Sequence, residues 1–170
     1  CWLYEPGGRA ILDAIASWWT CVHGHGHPAI VAAIREQVER LDHVMFAGFT
    51  HEPAVALAEA LIAAAPPGYG RVFYADCGSA AVEVALKLSY QARQQRGEPR
   101  RTRFATLRNG YHGETLGALA LCGAGAYRDT FAPLLFSPIE LPAPGYPAHE
   151  HADLATDLGA DAPETAAALA

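Results

Sequence analysis

Lysine is nearly absent from this sequence. Of its 12 basic residues, 11 are arginine, and Lys87 is the only lysine. Positive charge is scarce overall: 18 acidic residues leave a net charge of −6 and a pI near 5.7. No basic patch survives that balance, so nucleic acid is not expected as a partner. Long hydrophobic runs are also missing. Each apolar stretch is broken by Gly, Pro or charge before it could span a bilayer, so no membrane partner is expected. The four cysteines, Cys1, Cys21, Cys77 and Cys122, form no Cys-x-x-Cys pair, which points to a reduced, cytoplasmic setting rather than a disulfide framework. There is no internal repeat. There is no initiating Met and no signal-peptide pattern. The end, Ala166-Ala167-Ala168-Leu169-Ala170, carries no helix stop. These features lead us to expect a piece of a longer protein.

What is present is an ordinary globular balance, 51% hydrophobic and 18% charged, enough to exclude intrinsic disorder. Gly7-Gly8 predicts a turn feeding a strand around Ala10 to Ala14. Trp18-Trp19 follows, expected on an extended segment that points the two indoles to opposite faces. The run His23-Gly24-His25-Gly26-His27 raises the question of a metal. Gly24 and Gly26 are poor strand formers, so a Gly-rich turn is the better reading and no metal is expected. Pro28 suits a helix start, and Ile30, Ile34, Val38 and Leu41 form one apolar stripe. Thr50 is placed to cap the next helix, with Pro53 in its first turn and a stop at Pro66-Pro67-Gly68.

Arg71 to Ala75 predicts a buried strand, and Asp76-Cys77-Gly78-Ser79 leads from it into a helix from Ala80 to Arg96. Arg103 to Leu107 predicts a second strand, ending at Asn109-Gly110-Tyr111-His112-Gly113, with a helix onward to about Leu121. Alternation of strands and helices implies an α/β fold with a mainly parallel sheet. The Pro-rich 142–163 segment reads as a surface excursion, with a further helix from Glu164. In open α/β sheets ligands sit at the carboxyl ends of strands. There Gly78 would let an anion approach the backbone and Ser79 would add a hydroxyl, although the pair taken alone reads more readily as a turn and an N-cap. Tyr111, between glycines at the next strand end, is placed to stack on a flat ligand. His112 is either an acid–base group or a structural histidine.

The blocks SWWTCVHGHGHPAIVAAI, HVMFAGFTHEPAVALAEALI, RVFYADCGSAAVEVALKLSYQ and RFATLRNGYHGETLGALAL together resemble the class-III, pyridoxal-phosphate-dependent aminotransferases. The match is nearest to their biotin-biosynthesis branch and runs from about Gly8 to about Leu121. The resemblance implies an aspartate-aminotransferase-type fold, truncated here. Residues 1–20 would belong to the small domain, and residues 21–170 to the first part of the large, cofactor-binding domain. It implies pyridoxal 5′-phosphate as cofactor, with Gly78 and Ser79 at its phosphate and Tyr111 against its ring. Trp18 and Trp19 would line the substrate site, Trp19 the more surely. The substrates implied are S-adenosylmethionine as amino donor and 8-amino-7-oxononanoate as acceptor. A homodimer is implied, with the Met45–Thr50 loop near its interface. Cys77 departs from the Ser or Asn usual before Gly-Ser. The family's Schiff-base lysine, its aspartate for the pyridine nitrogen and its carboxylate-binding arginine would all lie beyond Ala170, so no catalytic residue is expected in this chain. Lys87 stands eight residues beyond Ser79, about 12 Å along a helix and away from the phosphate end. It cannot take the lysine's role.

Overall fold

The computed structural model describes residues 1–123 and 126–143. The chain divides into two compact units, Cys1–Val72 and Phe73–Ala170. The boundary expected at residues 20/21 lies inside the first of these.

In the first unit, β1 (Trp2–Tyr4) and β2 (Ala10–Leu12) form an antiparallel hairpin, with Tyr4 opposite Ala10. Gly8, at φ +82°, makes the turn, as the Gly7-Gly8 pair predicts, while β1 itself has no periodicity to announce it. The tryptophan segment differs from expectation. It is a single helical turn, α1 (Ala16–Trp19), wound left-handed, with φ of +49°, +47°, +56° and +67° at Ala16, Ser17, Trp18 and Trp19. L-residues disfavour this region by about 1–2 kcal/mol each. On a helical turn consecutive side chains stand about 100° apart rather than on opposite faces. Both indoles therefore project outward, 81% and 82% exposed.

Helix α2 (Pro28–Arg40) starts at its proline. Its apolar stripe faces outward: Ile34 and Val38 are well exposed. Helix α3 (Glu52–Ala64) begins one residue later than Thr50 would set it. His51 is the N-cap, and its Nδ1 accepts the Ala54 N–H at 3.4 Å. The ring also stacks on Phe46, at 5.4 Å between centroids, which fixes its direction. Arg40 and Glu52 pair across the loop between the helices at 2.9 Å.

Residues 71–75, which run across the division between the units, lead into the next helix without ladder bonds among the described residues. The strand expected there is not formed, and Phe73 is exposed. Apolar residues favour a strand, but they do not supply a neighbour to bond to. Helix α4 (Gly78–Gln95) ends at Arg96, followed by Gly97 at φ +75°. Strand β3 (Ala105–Leu107) pairs in parallel with β4 (Ile139–Leu141). The crossover between them holds α5 (Leu116–Ala120), α6 (Ala126–Phe131) and a 3-10 turn (Ala132–Leu134). Among the described residues the buried apolar ones are Ala118 to Cys122, tied to β3 by the bond from the Thr106 hydroxyl to the Leu121 carbonyl. Only Thr106 of β3 is buried, and α5 packs chiefly against α4. Most of the 142–163 excursion and the helix expected from Glu164 lie outside the described residues. Among those described, no helix is long and apolar enough to cross a membrane.

Candidate active site

An anion site is expected at the start of α4. Cys77 is the N-cap and provides no side-chain cap. The amides of Gly78, Ser79 and Ala80 therefore stand at the positive end of an 18-residue helix without carbonyl partners inside it. A Cβ built on Gly78 would meet nothing within 4 Å, so its missing side chain leaves open space over these amides. Ser79 lies inside the first turn and is not the N-cap, which removes the plain capping reading of its hydroxyl.

Ser79 also joins this helix start to the loop carrying Tyr111. Its Oγ accepts the Glu114 N–H at 3.3 Å. An accepting hydroxyl keeps its own proton free to donate. Gly113 sits directly against it, buried and at φ +118°. A Cβ there would overlap Ser79 Oγ and lie 2.7 Å from Ser79 Cβ. Glycine is required on both counts. Tyr111 is 71% exposed, and its hydroxyl donates to Glu114 Oε1 at 3.3 Å.

His112 is held from behind. The Thr106 hydroxyl donates to the Leu121 carbonyl at 2.7 Å, which commits its one proton. The 3.3 Å contact between Thr106 Oγ1 and His112 Nε2 therefore has the imidazole as donor. The His112 amide donates to Cys122 Sγ at 3.2 Å. Of the two roles open to His112, these contacts describe the structural one.

Glu83 has no place among the expected site residues, yet it organises this region. One turn beyond Ser79 on the same face of α4, its Oε1 accepts the Gly117 N–H at 2.7 Å and the Ala118 N–H at 3.2 Å. It thereby caps α5, whose N-cap Thr115 supplies no cap to the backbone. Its carboxyl is held below the ordinary range, first by the Thr115 side chain and then by the two amides, while burial opposes them. A Cβ at Gly117 would overlap this carboxylate. Ser79 and Glu83 thus clamp residues 113–118 to α4. The only trace in the sequence is a carboxylate four residues after a serine. Its partners, 34 and 35 residues away, are not legible there.

Trp18 and Trp19 belong to the first unit and are described with it. Asp13 anchors their turn. The Ser17 N–H donates to its Oδ1 at 3.0 Å, the Ser17 hydroxyl to its Oδ2 at 2.7 Å, and His25 Nε2 to the same oxygen at 2.7 Å. The Asp13 side chain is 5% exposed. Its carboxyl is lowered to about 2, by the Ser17 amide first, then the Ser17 hydroxyl, then His25, with burial opposing. The histidine run therefore supplies a partner for a carboxylate. Among the described residues no group of three His, Cys, Asp or Glu is arranged to hold a metal.

The chain is similar to proteins of known kind. The adenosylmethionine-8-amino-7-oxononanoate aminotransferase of Corynebacterium glutamicum is 46% identical over 115 residues, which are 68% of this chain and 27% of that protein. The solved enzyme of the same name from Methanocaldococcus jannaschii superposes with a TM-score of 0.81 at 32% identity, over 90% of this chain and 37% of that one. An amine transaminase from an uncultivated Pseudomonas species, solved in its pyridoxal-phosphate-bound form, superposes with a TM-score of 0.79 at 36% identity, over 84% of this chain and 33% of that one. The chain spans about a third of the length of these relatives. The shared architecture is that portion of the aminotransferase fold. Residues 1–169 match the family model described as aminotransferase class-III, and the chain belongs to that family.

Proposed function

We propose that the protein carrying this chain is a pyridoxal-phosphate-dependent aminotransferase of biotin biosynthesis. It moves an amino group from S-adenosylmethionine to 8-amino-7-oxononanoate, giving 7,8-diaminononanoate. The observation that carries the cofactor half is the open, uncapped start of α4 joined through Ser79 to the Tyr111 loop. The substrate half rests on the named relatives at 32–46% identity.

When bound, pyridoxal phosphate supplies the electron sink for amino transfer. Gly78 and Ser79 would hold its phosphate, the backbone amides and the Ser79 hydroxyl as donors, with no Cβ at Gly78 in the way. Tyr111 would stack on its ring. The Tyr111 hydroxyl bond to Glu114 and the Glu114 amide bond to Ser79 fix the stacking face relative to the phosphate site. Trp18 and Trp19 offer two exposed apolar planes for substrate, one flat enough for an adenine and both suited to an acyl chain. Lys87 lies on α4 beyond Glu83 and takes no part. The reacting lysine, the pyridine-pairing aspartate and the carboxylate-binding arginine belong to the remainder of the protein. Residues 1–20 belong to its small domain and 21–170 to its large one. The exposed Met45, Phe46 and Phe49 support a homodimer contact at that loop. The four free thiols suit a cytoplasmic enzyme.

The test is incubation of the intact, cofactor-loaded protein with both substrates, with the product followed by mass. Formation of 7,8-diaminononanoate only when adenosylmethionine is present supports the proposal. Turnover of an aliphatic ω-amine in its place would favour a second reading, an ω-amino-acid transaminase, to which the 36% identity with the amine transaminase points.

A further inference from the structure

We infer that Asp13 is a positioning residue that, with His25, holds the left-handed turn bearing Trp18 and Trp19 and so sets how substrate is handled. The inference rests on the reading of those indoles as substrate walls.

Four consecutive residues with side chains, Ala16 to Trp19, have φ between +47° and +67°. A chain of L-residues leaves that conformation unless its surroundings over-determine it. Packing does not hold it here, because both indoles are about four-fifths exposed. Backbone bonds close the turn, from Ala16 N–H to the Asp13 carbonyl at 3.2 Å, Trp19 N–H to the Ile15 carbonyl at 3.0 Å, and Thr20 N–H and Cys21 N–H (2.9 Å) to the Ala16 carbonyl. The Thr20 hydroxyl donates to the Ser17 carbonyl at 2.8 Å. The remaining support is polar and converges on one carboxylate. Asp13 takes both the amide and the hydroxyl of Ser17, the residue immediately before the tryptophans. His25 reaches the same carboxylate from the Gly-rich turn that follows. Asp13 is itself fixed, its amide donating to the Cys1 carbonyl at 2.8 Å. Without the carboxylate, the Ser17 amide and hydroxyl lose their acceptor, and the bonds left within the turn must hold residues 16–19 against the pull toward ordinary φ values. A return to those values swings both indoles. Displacing substrate-facing groups by about 1 Å reduces turnover by about 100-fold.

The test compares the parent, Asp13→Ala and the double variant Asp13→Ala with Ala16→Gly, all as intact holoenzyme. Glycine enters the left-handed region without the Cβ penalty, so it should restore a turn that has lost its clamp. It restores nothing if Asp13 acts in any other way. Asp13→Ala is expected to lower kcat/KM for at least one substrate by about 10–100-fold with cofactor affinity unchanged, and Ala16→Gly, which relieves one of the four left-handed residues, to recover part of that loss. Near-UV circular dichroism of the cofactor-free proteins, taken as the difference between each protein and its own Trp18→Phe, Trp19→Phe counterpart, reads the two indoles. Its band should change in Asp13→Ala and return in part in the double variant. If Asp13→Ala does not fold, Ser17→Ala, which removes only the hydroxyl bond, should show the same changes at smaller amplitude. Unchanged kinetics and unchanged dichroism overturn the inference, as does a loss that glycine fails to rescue. If the parent turns over neither substrate, the functional reading fails, and the dichroism series still decides the clamp.

Discussion

Replacing Glu83 by alanine should loosen the whole loop between β3 and α5. The change removes the acceptor of two amides in the first turn of α5. Gly117 is half-buried, and its N–H can turn to water at modest cost. Ala118 is fully buried, and its N–H has nowhere to go. A hydrogen bond to a charged group contributes about 1.5–3 kcal/mol, and a buried donor left without a partner costs about 1–3 kcal/mol. Taking the low end for Gly117 and the middle for Ala118, Glu83→Ala should destabilise the protein by about 2–4 kcal/mol. Glu83→Gln keeps an acceptor oxygen and should lose roughly half as much. The assay is urea unfolding of the intact, cofactor-free protein, with the slope checked for constancy. The sign of the pH dependence follows from the lowered carboxyl. Its stabilisation is fully present above the ordinary value of 4.5 and is lost as pH falls through the lower folded value. The parent should therefore lose stability on acidification more steeply than Glu83→Gln. A Cβ at Gly117 displaces the same carboxylate, so Gly117→Ala should be harmful in the parent and nearly silent beside Glu83→Ala. If Glu83→Ala stays within about 0.5 kcal/mol of the parent, or the two changes simply add, the capping argument is wrong.

Ser79→Ala should weaken pyridoxal phosphate binding by about 1.5–3 kcal/mol without abolishing it, because the backbone amides remain; titration of the cofactor-free intact protein checks this. Gly113→Ala should lower cofactor affinity and stability together, since its Cβ meets Ser79 and its φ of +118° is strained for alanine; the same titration and a thermal melt read both. Trp19→Phe should raise KM or lower kcat/KM for one substrate with cofactor occupancy kept, and loss of the fold instead would make Trp19 a packing residue. The 170-residue chain by itself, with Lys87 as its only lysine, should retain no stoichiometric label after borohydride reduction with pyridoxal phosphate, as mass spectrometry would show.

Punctuation residues made much of this chain legible. Pro28, Pro53, Gly68 and Gly97 mark real helix ends, and Gly78, Ser79, Gly110 and Gly113 mark the two loops that meet. The contact between those loops was not legible, because the Ser79 bond to Glu114 and the Glu83 cap on α5 each join residues more than 30 positions apart. The left-handed turn was invisible for a different reason. Positive φ leaves a sequence signal when glycine or asparagine adopts it, and Ala16, Ser17, Trp18 and Trp19 are neither. The spacing of Asp13 and Ser17 was its one trace. At residues 71–75 the β-prone composition misled, since a ladder depends on a neighbour that composition does not reveal.

The two strand pairs also differ in what it takes to close them. Tyr4 and Ala10 of the hairpin are six residues apart, whereas Ala105 and Ile139 are 34 apart. The longer closure carries about 1.5 kcal/mol more chain entropy, and a three-residue ladder returns little against it. The β1–β2 hairpin can therefore open and re-form by itself, on the microsecond scale of isolated hairpins. The β3–β4 ladder persists only while the crossover through α5 is in place. The amide of Arg108, bonded to the Leu141 carbonyl at 2.7 Å, stands at the far end of that dependence. Its hydrogen-exchange rate should register a fault introduced at Glu83, although the two residues share no bond.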